Sequence, residues 1–478
     1  MDNMDRRHFL KNLSLGTLAV TSGVPFLSAA SNSKRRSYSP SNSIPIPTQP
    51  QIKWQEAERV AVFHYDLHVF DGKQYVQSRN RITPIEDYNI FNPEQLDTDQ
   101  WIKSIKDAGF KIAILTATHE TGFALYQSDV NPYCLKAVKW RDGKGDLVRD
   151  FVDSCRKYDI EPGIYVGIRW NSFYGVHDFL VNGDGEFAEN RQEHYNRMCE
   201  GMVEELTSRY GELAIIWFDG GAYGPERGGP DVLSIFERNQ PNGIFYHNDQ
   251  RADIRWGGSE TGTVPYPCWG TFPYPYSHTN KTGPDHFELL KYGDPDGDYY
   301  MPAMSDAPLR GHSGGHDWFW EPDREHTIYP LENLVDMHYK SVGRNSTLIV
   351  GLTPDPSGLL PEADAERLKE WGEEIERRFE APVAQSEGRG SEYVINFDSE
   401  KELNHVVLQE DIKHGERVRT YTVEGYKDRE WQEICSGQCI GHKRIQEFET
   451  DQYTGVKLII DESLVEPRIQ NFSVFHVT

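Results

Sequence analysis

The stretch LAIIWFDG, residues 213–220, decides which fold this sequence predicts. It opens with six consecutive apolar residues, a pattern typical of a strand buried on both faces of a parallel sheet. The run ends in Asp219 and Gly220, so the strand delivers a carboxylate to its carboxyl end, where barrel enzymes hold their catalytic residues. A structural explanation stays open at this point, because an Asp in this position can also cap the next helix or close a turn.

Apolar runs and amphipathic segments alternate on both sides of this stretch. Further strands are predicted over 59–64, 111–116, 162–167, 243–246 and 346–351. Helices are predicted between them over 97–108, 145–158, 192–210, 231–238 and 331–342. Because parallel strands need crossover helices, the alternation predicts an α/β fold, a (β/α)8 TIM-like barrel with an irregular stretch over 262–328. An open doubly wound sheet is the alternative.

The pattern changes after a helix predicted over 362–379. Short alternating strands follow, for example 393–397, 405–408 and 455–460, and they predict a C-terminal antiparallel β-sandwich. The 478 residues suffice for a barrel of about 250 residues and a second domain of roughly 100. We predict a catalytic barrel over 51–380 and a β-sandwich over 381–478. The second domain resembles carbohydrate-binding modules, and a packing role is the alternative.

The N-terminal segment predicts export. Arg6 and Arg7 precede an apolar stretch over 13–26 and small residues at 28–30, as in a twin-arginine signal peptide. The apolar stretch is shorter than the roughly 20 residues of a membrane span, and polar residues interrupt it. We expect a signal peptide over 1–30, a flexible lead-in over 31–50, no membrane span after signal cleavage, and a periplasmic or extracellular protein.

Composition narrows the class of function. A formal net charge of −25 argues against nucleic acid as a partner, because phosphates need a basic surface. The six cysteines show no metal-ligand spacing, so no metal site is predicted. Cys435 and Cys439 lie four residues apart, and a local disulfide between them is possible in an oxidising compartment.

Two acidic residues are candidates for catalysis. Retaining hydrolysis of a glycoside needs two carboxyl groups about 5 to 5.5 Å apart. Asp219 is one candidate, and Glu260, in a glycine-flanked loop expected on the same rim, is the other. His64 and His119 follow the first two strands, where neutral imidazoles can bind sugar hydroxyls. Each residue alone has a structural explanation, but their shared rim favours the catalytic one.

These residues are part of a longer pattern. It comprises FNP at 91–93, LDTDQW at 96–101, LTATHETGF at 115–123, WFDG at 217–220, the Glu260 loop, and YKSVGRN at 339–345. From about residue 54 onward, the chain resembles the retaining α-L-fucosidases of glycoside hydrolase family twenty-nine, especially the branch that prefers 1,3- and 1,4-linked fucose. The resemblance implies an enzyme that releases terminal α-L-fucose from an oligosaccharide or polysaccharide without a cofactor.

The resemblance also implies residue roles. Asp219 is the nucleophile and stays ionised, while Glu260 is the general acid/base and starts protonated. His64 and His119 belong to the fucose pocket. Three indoles are candidates for packing against the sugar, with core packing as the alternative for the first: Trp217, Trp318 and Trp320.

The chain departs from the family pattern in its sugar pocket. Glu120 stands where the family has a second consecutive histidine, and Arg81 stands near the place of a Glu-Trp pair. Arg169 lies in a stretch, IRWN, that replaces the usual Pro-Trp-Asp-Arg. We therefore count Glu120 and Arg169 among the substrate-binding candidates.

These departures leave alternatives. Arg81 or Arg169 could pair with a sulfate on fucose, or the altered pocket could accept α-L-galactose, which adds a C6 hydroxyl. Alternatively, equivalent sugar contacts come from elsewhere in the chain. A catalytically silent carbohydrate-binding protein is a further alternative, although binding alone would not require both Asp219 and Glu260.

Overall fold

Eight parallel strands form the central sheet within the residues that the structure describes, 44–276 and 284–478. In this computed structural model they are β1 Arg59–Phe63, β2 Ile112–Thr118, β3 Glu161–Val166, β4 Ile215–Ala222, β5 Ile244–Asn248, β6 Arg255–Trp256, β7 Ala303–Pro308 and β8 Ser346–Leu352. Their order in the sheet is β5-β4-β3-β2-β1-β8-β7-β6. Consecutive strands are therefore neighbours except β5 and β6, and β8 returns to pair with β1, as in a TIM-like barrel. The doubly wound alternative is wrong.

The barrel is nearly closed, and its opening lies between β5 and β6. Asp253 bridges this opening, because the backbone N–H of Phe245 donates to its carboxylate at 2.7 Å. The N–H of Asp253 donates in turn to the carbonyl of Phe245 at 3.1 Å. A short turn segment thus replaces the missing strand pairing.

The predicted irregular stretch over 262–328 contains a regular barrel strand. All six residues of β7 are buried, and the strand pairs with β8 and β6. Its sequence, AMSDAP, lacks a β-branched run and ends in proline, so residue pattern gave no strand signal. The two-residue strand β6 was missed because of its length.

Longer helices alternate with the strands and cover the sheet. They are α1 Gln49–Ala57, α2 Thr98–Asp107, α3 Leu147–Lys157, α4 Gly185–Arg209, α5 Val232–Asn239, α6 Pro284–Tyr292, α7 Leu331–Lys340 and α8 Glu362–Phe379. The start of α2 shows why they form: the Asp97 carboxylate accepts from the N–H of Gln100 at 3.0 Å, and one face buries Trp101 and Ile105. None of the helices described in 44–276 and 284–478 is long and apolar enough to cross a membrane.

The predicted signal peptide over 1–30 lies outside the described residues, as does the lead-in up to residue 43. The end of the lead-in is helical, because α1 begins at Gln49. Thr48 caps this helix in a reciprocal capping box with Gln51. The Gln51 amide also donates to the carbonyls of Asp253 and Tyr300, both at 2.7 Å, and ties α1 to the starts of β6 and β7.

The C-terminal residues form an antiparallel sheet, as predicted. Its strands are β9 Ala384–Arg389, β10 Glu392–Glu410, β11 Val418–Lys427, β12 Glu430–Gln438, β13 Arg444–Ser463 and β14 Arg468–Phe475. They pair in the order β9-β14-β10-β13-β11-β12, as one hydrogen-bonded sheet of six strands over 384–475. The 19-residue β10 and the 20-residue β13 carry register shifts that let them bend around a core of their own. Division into the two layers of a sandwich stays a prediction.

A buried polar cluster joins the barrel to this sheet. The Glu416 carboxylate accepts from the Asn345 amide at 2.6 Å and from the N–H of Gly270 at 2.8 Å. The Cys439 thiol donates to the carbonyl of Cys268 at 3.2 Å. Cys435 and Cys439 are both free thiols, so the local disulfide between them is not formed.

Candidate active site

Asp219 lies where β4 reaches the carboxyl end of the barrel. The Tyr165 hydroxyl, at the corresponding end of β3, donates to Asp219 Oδ2 at 3.2 Å. The next two residues, Gly220 and Gly221, have φ of 67° and 88°, conformations that strain any other residue. The two glycines therefore interrupt the regular extension of β4 directly after the carboxylate, where the pairing of β4 with β5 shifts register between Trp217 and Ala222.

Glu260 lies in the loop that follows β6. The N–H of Gly257 donates to the carbonyl of Met304 at 2.7 Å, and the N–H of Gly262 donates to that of Asp306 at 2.9 Å. Both ends of the loop are therefore tied to β7. The Glu260 side chain is 30% exposed, so a substrate can reach it.

The side chain of Glu260 has a histidine partner. Its Oε2 lies 2.7 Å from Nε2 of His316, which the loop after β7 supplies. The indole N–H of Trp318 donates to the same imidazole nitrogen at 3.1 Å. The two residues place the candidate acid/base in a defined hydrogen-bonding environment.

A third carboxyl group, Asp306, lies close enough to sense both candidates. Its side chain is 6% exposed and accepts a hydrogen bond from the Trp256 indole at 2.8 Å. Burial, and then the negative charges of Glu260 and Asp219, raise the pKa of Asp306 well above its ordinary value. The dependence of its pKa on both charges places Asp219 and Glu260 around one site.

His64 and His119 form one aromatic cluster, as predicted. Their ring centroids are 5.9 Å apart, and the His119 ring stacks on Tyr165 at 5.4 Å. Phe319 closes the cluster at 5.5 Å from His64 and 4.9 Å from His119. Burial lowers the pKa of His64 to about 3 and that of His119 well below its ordinary value. Both rings are therefore neutral and can donate and accept hydrogen bonds.

The three candidate indoles differ in position. Trp318 is partly exposed, and its ring lies 5.0 Å from His64. Trp217 is 4% exposed and packs between Tyr165 and Tyr246 inside the barrel, which supports the core-packing alternative. Trp320 packs against the main core, and within the described residues no ring contact joins it to the two histidines.

Glu120 belongs to a buried ion pair. The Arg81 Nε donates to Glu120 Oε1 at 2.6 Å, and the Tyr75 hydroxyl donates to Oε2 at 2.8 Å. The guanidinium also stacks over the Trp170 ring at 3.5 Å. Burial raises the pKa of Glu120, Arg81 opposes this shift, and the charge of Asp219 adds to it. Arg81 and Glu120, two of the departures from the family pattern, therefore pair with each other close enough to Asp219 for its charge to act on Glu120.

Arg169 supports the turn after Asp219. Its Nε donates to Asp178 at 2.8 Å, and its Nη1 donates to the carbonyl of Gly220 at 2.9 Å. The guanidinium lies 4.4 Å from the Trp170 ring and 4.8 Å from the Phe179 ring. All of these contacts hold the rim in place, and none requires a substrate.

Sequence reasoning missed several residues of the site: Tyr75, Tyr165, Asp306, His316 and Phe319. Tyr165 was available as a polar tip near the end of a predicted strand. His316 and Phe319 lie in the stretch GHSGGHDWFW, residues 311–320, where closely spaced glycines, histidines and tryptophans were a usable signal. Asp306 was not identified as a candidate because the sequence did not predict strand β7, on which it lies.

Comparisons with known proteins agree with this geometry. The family model described as Alpha-L-fucosidase matches residues 48–378. A putative alpha-L-fucosidase 1 of Oryza sativa subsp. japonica is 29% identical, with 96% of this chain and 90% of that protein covered. The crystal structure of a putative alpha-L-fucosidase from Bacteroides thetaiotaomicron has 59% identity and a TM-score of 0.90, covering 91% of this chain and 100% of that one. The chain is a glycoside hydrolase and belongs to the α-L-fucosidase family, glycoside hydrolase family twenty-nine.

Proposed function

We propose that this enzyme removes terminal α-L-fucose from glycans by a retaining double displacement. Asp219 is the nucleophile and Glu260 the general acid/base. The observation that carries the proposal concerns the buried carboxyl group of Asp306. The negative charges of both residues raise its pKa, so both lie near Asp306 in one site. Tyr165 on Asp219 and His316 on Glu260 then give the two carboxyl groups different hydrogen-bonding environments.

In the first step, ionised Asp219 attacks carbon one of the sugar while protonated Glu260 gives its proton to the departing oxygen. The bond to the aglycone breaks as the bond to Asp219 forms. In the second step, Glu260 takes a proton from water, the water oxygen attacks carbon one, and the bond to Asp219 breaks. The raised pKa favours the uncharged form of Asp306, which adds no third negative charge near the two carboxyl groups.

The histidine cluster suits the bound sugar. His64 and His119 are neutral, so each ring offers one donor and one acceptor for a sugar hydroxyl. Trp318, which adjoins His64 and is partly exposed, is the indole that we assign to packing against the sugar. Trp217 lies beneath the site and supports Tyr165.

The charges in the pocket favour a neutral sugar over a sulfated one. Arg81 is bound by Glu120 and Arg169 by Asp178, so both cations already have carboxylate partners. A sulfate would have to displace one of these carboxylates. Terminal α-L-galactose remains the second candidate, because the Arg81–Glu120–Tyr75 cluster offers polar groups beside Asp219 that could bind an additional hydroxyl.

The preference for 1,3- and 1,4-linked fucose, export to the periplasm or beyond, and glycan docking by the C-terminal domain remain proposals that rest on sequence. The first follows from the motifs over 91–123 and 339–345, and the second from the paired arginines of the N-terminal segment. A carbohydrate-binding protein without catalytic activity is disfavoured, because the carboxyl groups of Asp219 and Glu260 both have hydrogen-bonding partners on the rim.

The test is hydrolysis of aryl α-L-fucoside and α-L-galactoside by the purified protein, with the anomeric form of the first product followed by NMR. We expect fucose release with retention of configuration, and loss of release in Asp219→Asn. Glu226→Gln is the matched control, because Glu226 is an exposed acid in the loop after β4. Inversion, or an active Asp219→Asn variant, would overturn the mechanism, and release from the galactoside alone would change the sugar.

A further inference from the structure

The loop after β3 contacts the backbone that directly follows Asp219. The Arg169 Nη1 donates to the carbonyl of Gly220 at 2.9 Å. A Cβ atom placed at Gly220 would lie 2.8 Å from Cδ of Arg169 and 3.0 Å from Cη2 of Trp170, so both side chains pack closely on this glycine. The position of Arg169 therefore bears on the position of the Asp219 carboxylate, one residue away.

Arg169 is held in place by an ion pair and by an aromatic contact. Its carboxylate partner, Asp178, is 54% exposed, and ion pairs so open to water contribute little. On the other hand, the guanidinium lies 4.8 Å from the ring of Phe179, which is 8% exposed. The N–H of Phe179 also donates to the carbonyl of Arg169 at 2.9 Å. The stronger restraint on the guanidinium therefore comes from Phe179, because a cation on an aromatic ring gains more where water is excluded.

Phe179 is in turn fixed by Tyr223, which lies in the loop after β4. The two rings stack with their centroids 3.8 Å apart and their planes 16° apart. The Arg227 guanidinium lies 3.5 Å from the centroid of the same Tyr223 ring. Two planar groups so close to one centroid would overlap on a single face, so they cover opposite faces. The Tyr223 ring therefore has no free face on which a sugar could stack, and its role lies within the rim.

A buried carboxylate fixes the far end of this set of contacts. Asp249, after β5, lies 3.5 Å from Nη1 of Arg227, and its Oδ1 accepts from the N–H of Gly224 at 2.8 Å. The N–H of Asp249 donates to the carbonyl of Ala222 at 3.3 Å. The backbone after Asp219 is therefore bound at residue 220 and again at residues 222–224. The stacked rings of Phe179 and Tyr223 join these two points of attachment.

We propose that Phe179 and Tyr223 are positioning residues that set the place of Asp219 through Arg169. The inference rests on the proposed role of Asp219 as the nucleophile and adds the residues that hold it. A displacement of about 1 Å in a reacting group can cost on the order of a hundredfold in rate. Loss of the stack should therefore slow the attack of Asp219 on carbon one and leave the binding of the sugar unchanged.

The test measures the covalent step alone, with 2-deoxy-2-fluoro-α-L-fucosyl fluoride. In this step the Asp219 carboxylate forms a bond to carbon one while the bond from carbon one to fluorine breaks and fluoride leaves. Fluoride needs little protonation, so Glu260 contributes little to the rate. Labelling followed by mass spectrometry at several concentrations gives a first-order rate constant and an apparent binding constant. The final extent of labelling gives the fraction of competent molecules.

Three variants are compared with the wild-type enzyme. In Tyr223→Ala we expect the rate constant to fall at least about tenfold, with the binding constant changed less than about threefold and labelling complete. Tyr223→Phe keeps the stacked ring and should retain the rate constant within about twofold.

Phe173→Ala is the matched control. Phe173 lies in the loop after β3 and stacks on Tyr133 at 4.0 Å, and within residues 44–276 and 284–478 no ring contact joins it to Arg169. Its rate constant should stay at the wild-type value. A fall as large as in Tyr223→Ala would show that any aromatic residue of this loop has the same effect, and would overturn the assignment to the stack.

The other outcomes separate failure of the inference from failure of the proposed function. A wild-type enzyme that is not labelled and releases no fucose from aryl fucoside contradicts the proposed function. If Tyr223→Ala reacts with the wild-type rate constant but to a lower extent, the stack only stabilises the fold and the inference is overturned. A changed binding constant with an unchanged rate constant would place Tyr223 in sugar binding and would also overturn it.

A second variant applies if Tyr223→Ala does not fold. Phe179→Leu keeps an apolar side chain but removes the stacked ring on which the Arg169 guanidinium lies. We expect its rate constant for labelling to fall at least about threefold. An unchanged rate constant in Phe179→Leu overturns the inference by itself.

Discussion

Glu120 and Asp306 are both buried carboxyl groups whose pKa is raised by the charge of Asp219, yet they have different hydrogen-bond partners. Glu120 is 4% exposed and bound to the Arg81 cation, whereas Asp306 is 6% exposed and bound to the neutral indole of Trp256. A buried charge is tolerated only with a partner, and without one the group keeps its proton. Near Asp219, a cation therefore compensates Glu120, whereas burial favours the uncharged form of Asp306.

The difference between these two carboxyl groups indicates which substitutions the pocket tolerates. A substitution on the Glu120 side must be matched by a second one, as the joint presence of Arg81 and Glu120 shows. At Asp306 the environment favours an uncharged hydrogen-bonding group beside Asp219 and Glu260, the two acids to which we assign the chemistry. Variants at the two positions should therefore differ in both stability and activity.

At neutral pH, the largest effect should follow from breaking the ion pair. Arg81→Met leaves Glu120 as a buried carboxylate without its cation, and we expect a loss of about 3 kcal/mol in the free energy of unfolding. Denaturant unfolding at neutral pH measures this loss. The double variant Arg81→Met with Glu120→Gln should recover part of it, and a double variant as unstable as the single one would contradict charge compensation.

A large effect on acid stability should come from the neutral histidines. The pKa of His64 is about 3 in the folded protein, against about 6.5 when unfolded. Below pH 6.5 the unfolded chain binds more protons, so this residue makes stability fall by about 1.4 kcal/mol per pH unit down to about pH 3. In His64→Gln, the free energy of unfolding should fall less steeply as the pH is lowered from 6.5 to 4. An unchanged dependence on pH would contradict a buried neutral ring.

Asp306→Asn should give a smaller effect of opposite sign. The raised pKa means that the unfolded chain releases a proton which the folded protein keeps, so Asp306 lowers stability as the pH rises above about 4. The amide variant should therefore gain stability over wild type from acid to neutral pH. Turnover at neutral pH should fall less than about tenfold, because the amide imitates the neutral acid. Loss of stability at neutral pH would indicate an ionised Asp306.

The smallest effect should come from Asp178→Asn. Asp178 is half exposed and pairs with Arg169 on the rim, where ion pairs contribute little. Arg169 keeps its hydrogen bond to the Gly220 carbonyl in this variant. We expect kcat/KM for aryl fucoside to change less than about threefold, and a much larger loss would give Arg169 a direct role in binding substrate.

Sequence pattern was sufficient where one periodicity dominated. The apolar runs before Asp219, His64 and His119 identified three barrel strands and the edge on which their polar residues meet. The sequence pattern was insufficient for β7, because neighbouring strands, rather than the residues of β7 themselves, impose the extended conformation. The pairing of Arg81 with Glu120 could not be predicted either, because 39 residues separate them and only the folded rim brings them together.

The central claim is that Asp219 forms a covalent bond to the sugar. Incubation with 2-deoxy-2-fluoro-α-L-fucosyl fluoride, whose fluorine slows the second step, should trap this intermediate for peptide mapping by mass spectrometry. The account predicts a mass increase of one fluorofucosyl unit on the peptide that contains Asp219, and no increase in Asp219→Asn. A label on another residue, or turnover of ordinary fucoside without any label, would contradict the account.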